Sequence, residues 1–506
     1  MPLKQLVRRL GLEGLARWLL LRLLIAQQWL IDSGVIRQPI AGSGLLVLMG
    51  NAALARGQHQ RAIDTYQAAL RRSPEDSPVR LQIAVATYLA GDYRAAERWF
   101  VSCEQARMFD VSRWGITEPR WRVLDQSWLL AIGHIAFLDT YVKAVRLGWL
   151  SDIPAVLAYD AAQPPPGWPL FRYFGTQLDK HLRIVPSVTP EIAIDATIHG
   201  AEFRLIPERR RAGMRTALSQ PFWYGPDDTG RIRWFGPHAA AVQAAWQSTG
   251  QGPLLSLDAA DRAVFRRTME QVYGLPSDAW FVVLHVREPG YHAGWHRHHP
   301  ATRNADIRSY TRVIDFITSK GGWVIRGGDP SMRPLEPREQ VIDYATSQHR
   351  SPEIDILLCA DCAYFVGTNS GYGLVPPVFG KRVALTNWSP IAAPNWYPGD
   401  IVIPKAIRRR QDRQLLSFDE LLGSAAGWSQ FERDFAANDL TIEDNEPDDL
   451  VAVVEELHNE VFAPTAVDPA DAARLQRFNE IVLSHGAYVG SRMSYRFLAK
   501  YAHLLG

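Results

Sequence analysis

The sequence has little cysteine, little net charge and no long apolar run. Three cysteines in 506 residues, Cys103, Cys359 and Cys362, exclude a disulfide-stapled scaffold and fit a reducing compartment. Cys359-Ala-Asp-Cys362 has the CxxC form, but no second pair completes a zinc site, so both read as small buried residues. The 55 basic and 53 acidic residues leave a formal charge of +2, and no basic field argues for nucleic acid. The apolar stretch Trp18 to Ile25 contains Arg22 and falls far short of the ~20 residues needed to span a bilayer. No small-residue cleavage site comes after it, so it does not read as a secretory signal.

What is present is an ordinary globular balance, 47% hydrophobic and 21% charged, with length for about three domains. Seventeen tryptophans fill cores and interfaces, or stack on sugar rings or a membrane surface. Two readings stay open for residues 1–31. A basic helix rich in Leu and Trp lies in an anionic membrane interface, or it packs on the next segment of the chain. Peripheral contact at the inner face of the membrane, in an otherwise cytoplasmic protein, is the corresponding expectation.

Gly57, Ala62, Tyr66 and Ala69 recur 34 residues later as Gly91, Ala96, Phe100 and Cys103. That is the tetratricopeptide period and pattern, two antiparallel helices per unit. Such a segment docks a partner molecule, or it is a rigid lid on the part of the chain that comes after it. Two units need flanking caps, and residues 1–40 supply one. The organisation expected is a basic helical cap (1–40), repeats (41–115), a first Rossmann-like domain (116–265), a second (266–430), and C-terminal helices that cross back to the first (431–506).

In the first of these domains, LLAIGHIAFLDTYVKAVRLGWL joins an apolar run to Gly133-His134 and then to a helix. Strands are expected at 150–161 and 182–187, and AAQPPPGWP (161–169) is a loop. Residues 200–262 are poorly patterned, and a helix is expected from Ala259 to Tyr273. The second domain alternates clearly. Strands at 281–287, 321–328, 363–367 and 382–387, with a strand-like VIDYA, interleave with helices at 306–320, 336–342, 353–362 and 371–379. This is a doubly wound parallel sheet. Helices are expected at 448–461 and 491–504.

Two stretches carry the chemistry. FVVLHVREPGYH, residues 281–292, is an apolar run that ends in His285 and Arg287. DILLCADCAYFVGTNSGYG, residues 355–373, is another that ends in Gly367-Thr368-Asn369-Ser370-Gly371. Buried parallel strands deliver polar groups to the carboxyl edge of a sheet in this way. An arginine fork at one strand end and an amide-rich loop before a helix at another make a diphosphate clamp. The plain reading of Ser370 or Asn369 is a helix N-cap, and the two readings are compatible.

HVRE, followed by RNADIRSY and the GTNSG loop, resembles the donor half of fucosyltransferase-like glycosyltransferases of the GT-B fold. It is closest to a bacterial family in which a tetratricopeptide segment precedes the enzyme. The resemblance runs from about residue 120 to the end. It implies an α/β chain of two Rossmann-like domains after an all-α repeat segment. It also implies transfer, without a metal, of a sugar from a GDP- or UDP-linked donor to a carbohydrate, glycolipid or protein acceptor in surface glycan or glycoconjugate synthesis. No cofactor beyond the donor substrate is expected. Where the family continues H-x-R-R-x-D this chain reads HVREPG, which leaves sugar and base open.

Under this reading Arg287 neutralises the leaving diphosphate, with His285 in support. Arg303, Asn304 and Asp306 border the donor pocket, and Thr368, Asn369, Ser370 and Gly371 form the second half of the clamp. Arg326 and Asp329 leave a third strand at the same pocket, where the carboxylate accepts from base or ribose, although Asp306 is equally an N-cap and Asp329 a turn former beside Pro330. His134 is the candidate for acceptor activation, or a histidine that caps its own helix; Glu288 and Asp139 are the other bases. His292, His296, His298 and His299 crowd the loop after Arg287, where glycines argue against a helical metal site. Two other readings stand beside transfer: a nucleotide-sugar epimerase or hydrolase on the same fold, and a repeat-containing binding protein with an inactive site.

Overall fold

The computed structural model describes residues 43–55, 57–74, 77–90, positions 92, 95, 98, 99 and 102, and then 122–124, 131–150, 155–160, 182–187, 224–230, 232–289 and 301–506. The chain divides into two compact units. The first holds the repeat-patterned helices α1 (Ser43–Ala55), α2 (His59–Arg72) and α3 (Ser77–Leu89), each packed on the next. Gly57 takes φ +76° to turn α1 into α2, a conformation glycine adopts without steric cost. Gly50 has no Cβ because the Tyr66 ring occupies that space. The Tyr66 hydroxyl donates to Asn51 Oδ1 at 2.5 Å. Gly91, Ala96, Phe100 and Cys103, the second set of the repeat, lie outside the described residues, as do residues 1–31.

The second unit is α/β, as the sequence leads one to expect. Its first part contains a parallel three-stranded sheet, β1 (Arg122–Leu124), β2 (Ala155–Asp160) and β3 (Leu182–Ser187), in that order. Helix α4 (Ile135–Arg146) comes after a single 3-10 turn, Ile132–His134. A hairpin of β4 (Tyr224–Pro226) and β5 (Ile232–Trp234) leads into α5 (Phe235–Ser248). Helix α6 (Ala259–Tyr273) has the expected bounds: Asp258 accepts from the Asp261 N–H, and Gly274 closes it at φ +71°.

The larger sheet has seven parallel strands: β6 (Phe281–His285), β7 (Trp323–Arg326), β8 (Val341–Ile342), β9 (Tyr364–Gly367), β10 (Arg382–Trp388), β11 (Ile401–Pro404) and β14 (Arg492–Met493). Their spatial order is β14-β11-β10-β9-β6-β7-β8. The chain starts in the middle at β6, runs outward to β8, then returns to β9 and runs outward the other way. Order therefore reverses between β6 and β9. Every residue of β6 and β9 is buried, the pattern of strands covered on both faces. The covering helices are α7 (Thr311–Ser319), α8 (Pro352–Asp361) and α9 (Pro447–Phe462), and one contiguous core runs from Ile135 to Leu505. A small antiparallel pair, β12 (Ala406–Arg409) with β13 (Leu440–Glu443), lies outside the sheet.

Several helix expectations are corrected. Residues 336–340 are not helical; Pro337 disfavours helix for its predecessor, Gln340 takes φ +59°, and Val341–Ile342 pairs as the edge strand β8. The helix expected at 371–379 is two 3-10 turns, Gly371–Leu374 and Pro376–Phe379, because Pro376 and Pro377 supply no N–H to a ladder. The terminal helix expected at 491–504 begins as strand β14. It becomes helical at Tyr495–Lys500, where the Ser494 side chain accepts from the Phe497 N–H. Helix Pro469–Ser484 has no counterpart in the expectations.

Candidate functional site

In doubly wound sheets, ligands collect beyond the carboxyl ends of the strands where strand order reverses. Here that point lies between β6 and β9. β6 ends in His285 and the segment after it carries Arg287 and Glu288; the loop after β9 carries Thr368 to Gly371. The topology thus brings both halves of the sequence-derived clamp to one point on the carboxyl edge of the sheet.

Arg287 is held by its main chain on both sides. Its N–H donates to Thr368 Oγ1 at 2.9 Å, and its carbonyl accepts from the Ala305 N–H at 2.9 Å. The latter bond lays the Arg303–Asp306 segment along the exit of β6. Arg303 Nε donates to the Asn369 carbonyl at 2.9 Å, which ties that segment to the second loop as well. The Asn304 carbonyl accepts from Lys405 Nζ at 2.8 Å. Lys405 is buried and also pairs with Asp444. It is a cation at the carboxyl edge that the sequence reasoning missed; its place directly after the apolar run of β11 was the available signal.

In the second loop, side chains are spent internally. Asn369 Nδ2 donates to the Ser389 carbonyl at 2.6 Å, and Ser370 Oγ accepts from the Tyr372 N–H at 3.3 Å. Ser370 is therefore the cap of its turn. That turn has four residues, too short for a macrodipole, so the helix-terminus part of the expected anion site is withdrawn and main-chain N–H groups remain. Gly371 touches the first part of the unit. A Cβ on Gly133 would stand 2.6 Å from the Gly371 Cα, so two backbones meet where any side chain would force them apart. This puts the His134 turn at the rim of the loop. His134 occupies the N-cap position of α4 without a side-chain capping bond, and its ring packs on Phe137 at 5.1 Å.

His285 is buried. Its Nδ1 lies 3.1 Å from the Gly327 carbonyl, which can only accept, so Nδ1 carries the hydrogen. Burial pushes its pKa down to about 4, and Arg326, Arg287 and Arg303 push the same way against the Gly327 carbonyl. The imidazole is neutral at physiological pH and is no phosphate cation.

Other expected site residues are engaged elsewhere. Arg326 has no exposed surface; Nη2 donates to Glu288 Oε2 at 2.6 Å, and Nη1 to the Arg333 carbonyl at 2.5 Å and Asp343 at 3.2 Å. Glu288 Oε2 also accepts from the Arg333 N–H at 3.0 Å. The Glu288 carboxylate is taken up by a buried guanidinium and an amide, so Glu288 is corrected from candidate base to counter-ion, and Arg326 from ligand contact to ion-pair partner. Asp329 accepts from the Ser331 N–H at 2.9 Å and forms the turn. Asp306 caps its 3-10 turn, and its carboxyl is held below the usual range, chiefly by the Arg308 side chain. Asp139 is also internal: Lys143 Nζ, Gln243 Nε2 and the Tyr397 hydroxyl donate to its Oδ2 at 2.8, 2.9 and 3.0 Å. Those partners stand up to 258 positions away in the chain.

Cys359 and Cys362 are buried and free, and burial pushes the Cys362 thiol up to about 12. His292, His296, His298 and His299 lie outside the described residues. Among the described residues no group of three or more His, Cys, Asp or Glu is placed to hold a metal ion, and no helix is long and apolar enough to cross a membrane.

Residues 53–102 match the tetratricopeptide repeat model. No curated protein matches the chain. Similar solved structures include E. coli ADP-heptose LPS heptosyltransferase II, at 12% identity and a TM-score of 0.30, covering 54% of this chain and 87% of that one. A glycosyl transferase family 9 protein from Veillonella parvula has 10% identity and a TM-score of 0.32, covering 56% and 84%. The E. coli heptosyltransferase WaaC with ADP has 10% identity and a TM-score of 0.29, covering 54% and 88%. All three likenesses are distant.

Proposed function

We propose that this chain is a glycosyltransferase of GT-B type that takes a nucleotide-diphosphate sugar at the β6/β9 crevice and passes the sugar to a carbohydrate, glycolipid or protein acceptor. The observation that carries the reading is the meeting, at the point of strand-order reversal, of Arg287 and the loop Thr368–Gly371, in which Thr368 holds the Arg287 N–H and the amides after it are offered to the anion. Departure of a nucleoside diphosphate builds charge on the leaving oxygens. A fixed guanidinium and oriented N–H groups stabilise that charge with little reorganisation, and no metal is needed. The acceptor hydroxyl must lose a proton, and His134, at the rim of the loop, is the group assigned to that task. The repeat unit docks the acceptor or a partner protein, and residues 1–31 rest on the inner face of a membrane.

The test is a panel of GDP-, UDP- and ADP-linked sugars, read first as thermal shifts of the full chain and then as nucleoside diphosphate released with and without glycan acceptors. Acceptor-dependent release from at least one donor is expected. Release that ignores every acceptor identifies a hydrolase, and isomerised donor an epimerase. Absence of any shift returns the chain to the class of binding proteins.

A further inference from the structure

We propose that Thr368 is a positioning residue for Arg287 and makes no contact with the ligand itself. The inference rests on the donor-site reading above. β6 and β9 pair as parallel strands up to His285 opposite Gly367. The next rung begins normally, with the Thr368 N–H donating to the His285 carbonyl at 3.0 Å. In a regular parallel ladder the Arg287 N–H would then donate to the Thr368 carbonyl. It donates instead to the Thr368 hydroxyl, at 2.9 Å. The side chain thus stands in for the main chain at the last rung. That substitution satisfies a buried donor while it releases the two backbones from the ladder, at the place where the crevice opens.

Thr368 has no exposed surface, so its hydroxyl lies within the sheet edge and off the ligand surface. Two neighbours complete the fixation: the Ala305 N–H on the Arg287 carbonyl, and the buried Arg326 on the adjacent Glu288. A guanidinium whose own backbone is fixed at both peptide groups loses less freedom when it meets an anion.

The experiment compares Thr368→Val, Thr368→Ser and Arg287→Ala with the double variant Thr368→Val/Arg287→Ala in the full chain. UDP and GDP serve as probes, and amide exchange is read at Arg287. Valine keeps the shape and removes the acceptor, so the dissociation constant for the nucleotide that the wild type binds should rise roughly tenfold, the scale of an orphaned buried donor. Exchange of the Arg287 amide should rise on the order of tenfold as its local opening becomes easier. Serine should bring both within about threefold of wild type. In the Arg287→Ala background, valine at 368 should add less than about twofold, because coupled residues are not additive.

Full additivity in the double variant, or an unchanged Arg287 amide in Thr368→Val, overturns the assignment. If Thr368→Val does not fold, Thr368→Cys, whose sulfur is a weak acceptor, carries the same comparison. A wild type that binds neither probe nor any nucleotide sugar sinks the donor-site reading alone; amide exchange still decides whether Thr368 holds Arg287.

Discussion

Two arginines stand at the ends of neighbouring parallel strands, and the fold uses them differently. Arg326 closes β7, one strand away from the point where order reverses. Its guanidinium is buried against Glu288 and Asp343. Arg287 comes after β6 at the reversal itself; it is buried as well, and both its N–H and its carbonyl are hydrogen-bonded. The difference teaches that residue type and strand-end position are not enough to nominate a ligand residue. Away from the switch point, packed neighbours supply counter-charges and the arginine becomes architecture. At the switch point, the strands diverge and the arginine's peptide groups are anchored at the sheet edge where ligands collect.

The largest effect expected from this contrast is on stability. Arg326→Ala strands Glu288 and Asp343 in a buried setting, and breaking such a pair costs about 3–5 kcal/mol. Urea unfolding should show that loss as a lower midpoint with little change in slope. A variant as stable as wild type would mean that Arg326 is dispensable architecture, and the contrast would collapse.

Arg287→Ala should do the reverse. Removing a donor that strengthens as the leaving group departs costs about 2.7–4 kcal/mol in the barrier, so turnover with any donor the wild type uses should fall roughly a hundredfold or more, with a modest change in midpoint. Arg287→Lys should recover little, because a point charge does not reproduce the planar fork. Full transfer by Arg287→Ala would end the clamp assignment.

His285 lies near both arginines and sharpens the comparison through pH. Its native pKa, about 4, lies below the ordinary 6.5. The unfolded chain therefore binds a proton first as pH falls. The stability that neutral His285 contributes is complete above 6.5 and is lost between 6.5 and about 4, on the order of 3 kcal/mol. Asp355, pushed up to about 6 by burial, acts oppositely: its contribution is complete below 3.8 and is lost as pH rises through 6. The two partly cancel, so the informative measurement is the stability difference between wild type and His285→Asn. That gap should be widest above 6.5 and close toward 4; a constant gap would show that burial, with the arginines beside it, does not keep the histidine neutral.

The sheet was legible because its signals are local. FVVL, YFVG and the run of β10 are apolar on both faces and stop at polar or small residues, which marks both the strands and their carboxyl edge. Asp258 and Gly274 bracket α6 in the same local way. What could not be read depends on distant partners. Arg326 looks like a ligand residue until Glu288 and Asp343 are placed beside it, and Asp139 looks like a base until Gln243 and Tyr397 arrive from far along the chain. The turn chemistry around Pro337 and Pro376-Pro377 was present in the sequence and was outweighed by apolar periodicity. The β4–β5 hairpin and α5 fell in a stretch with weak patterning, where tertiary packing decides the structure.

The smallest effect concerns Ser370, and it separates side-chain from main-chain binding in the second loop. The Ser370 hydroxyl accepts from the Tyr372 N–H at 3.3 Å, a long capping bond on a turn of four residues. Its loss in Ser370→Ala should cost about 0.5–1 kcal/mol of stability, the low end of the capping range. The anion-binding groups assigned to this loop are peptide N–H groups, which alanine retains. Donor affinity should therefore change by less than about threefold, a few tenths of the free energy of a hydrogen bond to a charged group. Glycine at 370 would loosen the same amides and should weaken binding more than alanine does, because a less ordered loop pays more entropy on meeting the ligand. If alanine instead matched Arg287→Ala, the hydroxyl itself would be the contact and the loop would bind through its side chains. The order glycine worse than alanine, with alanine near wild type, is the signature of a loop that binds through its amides.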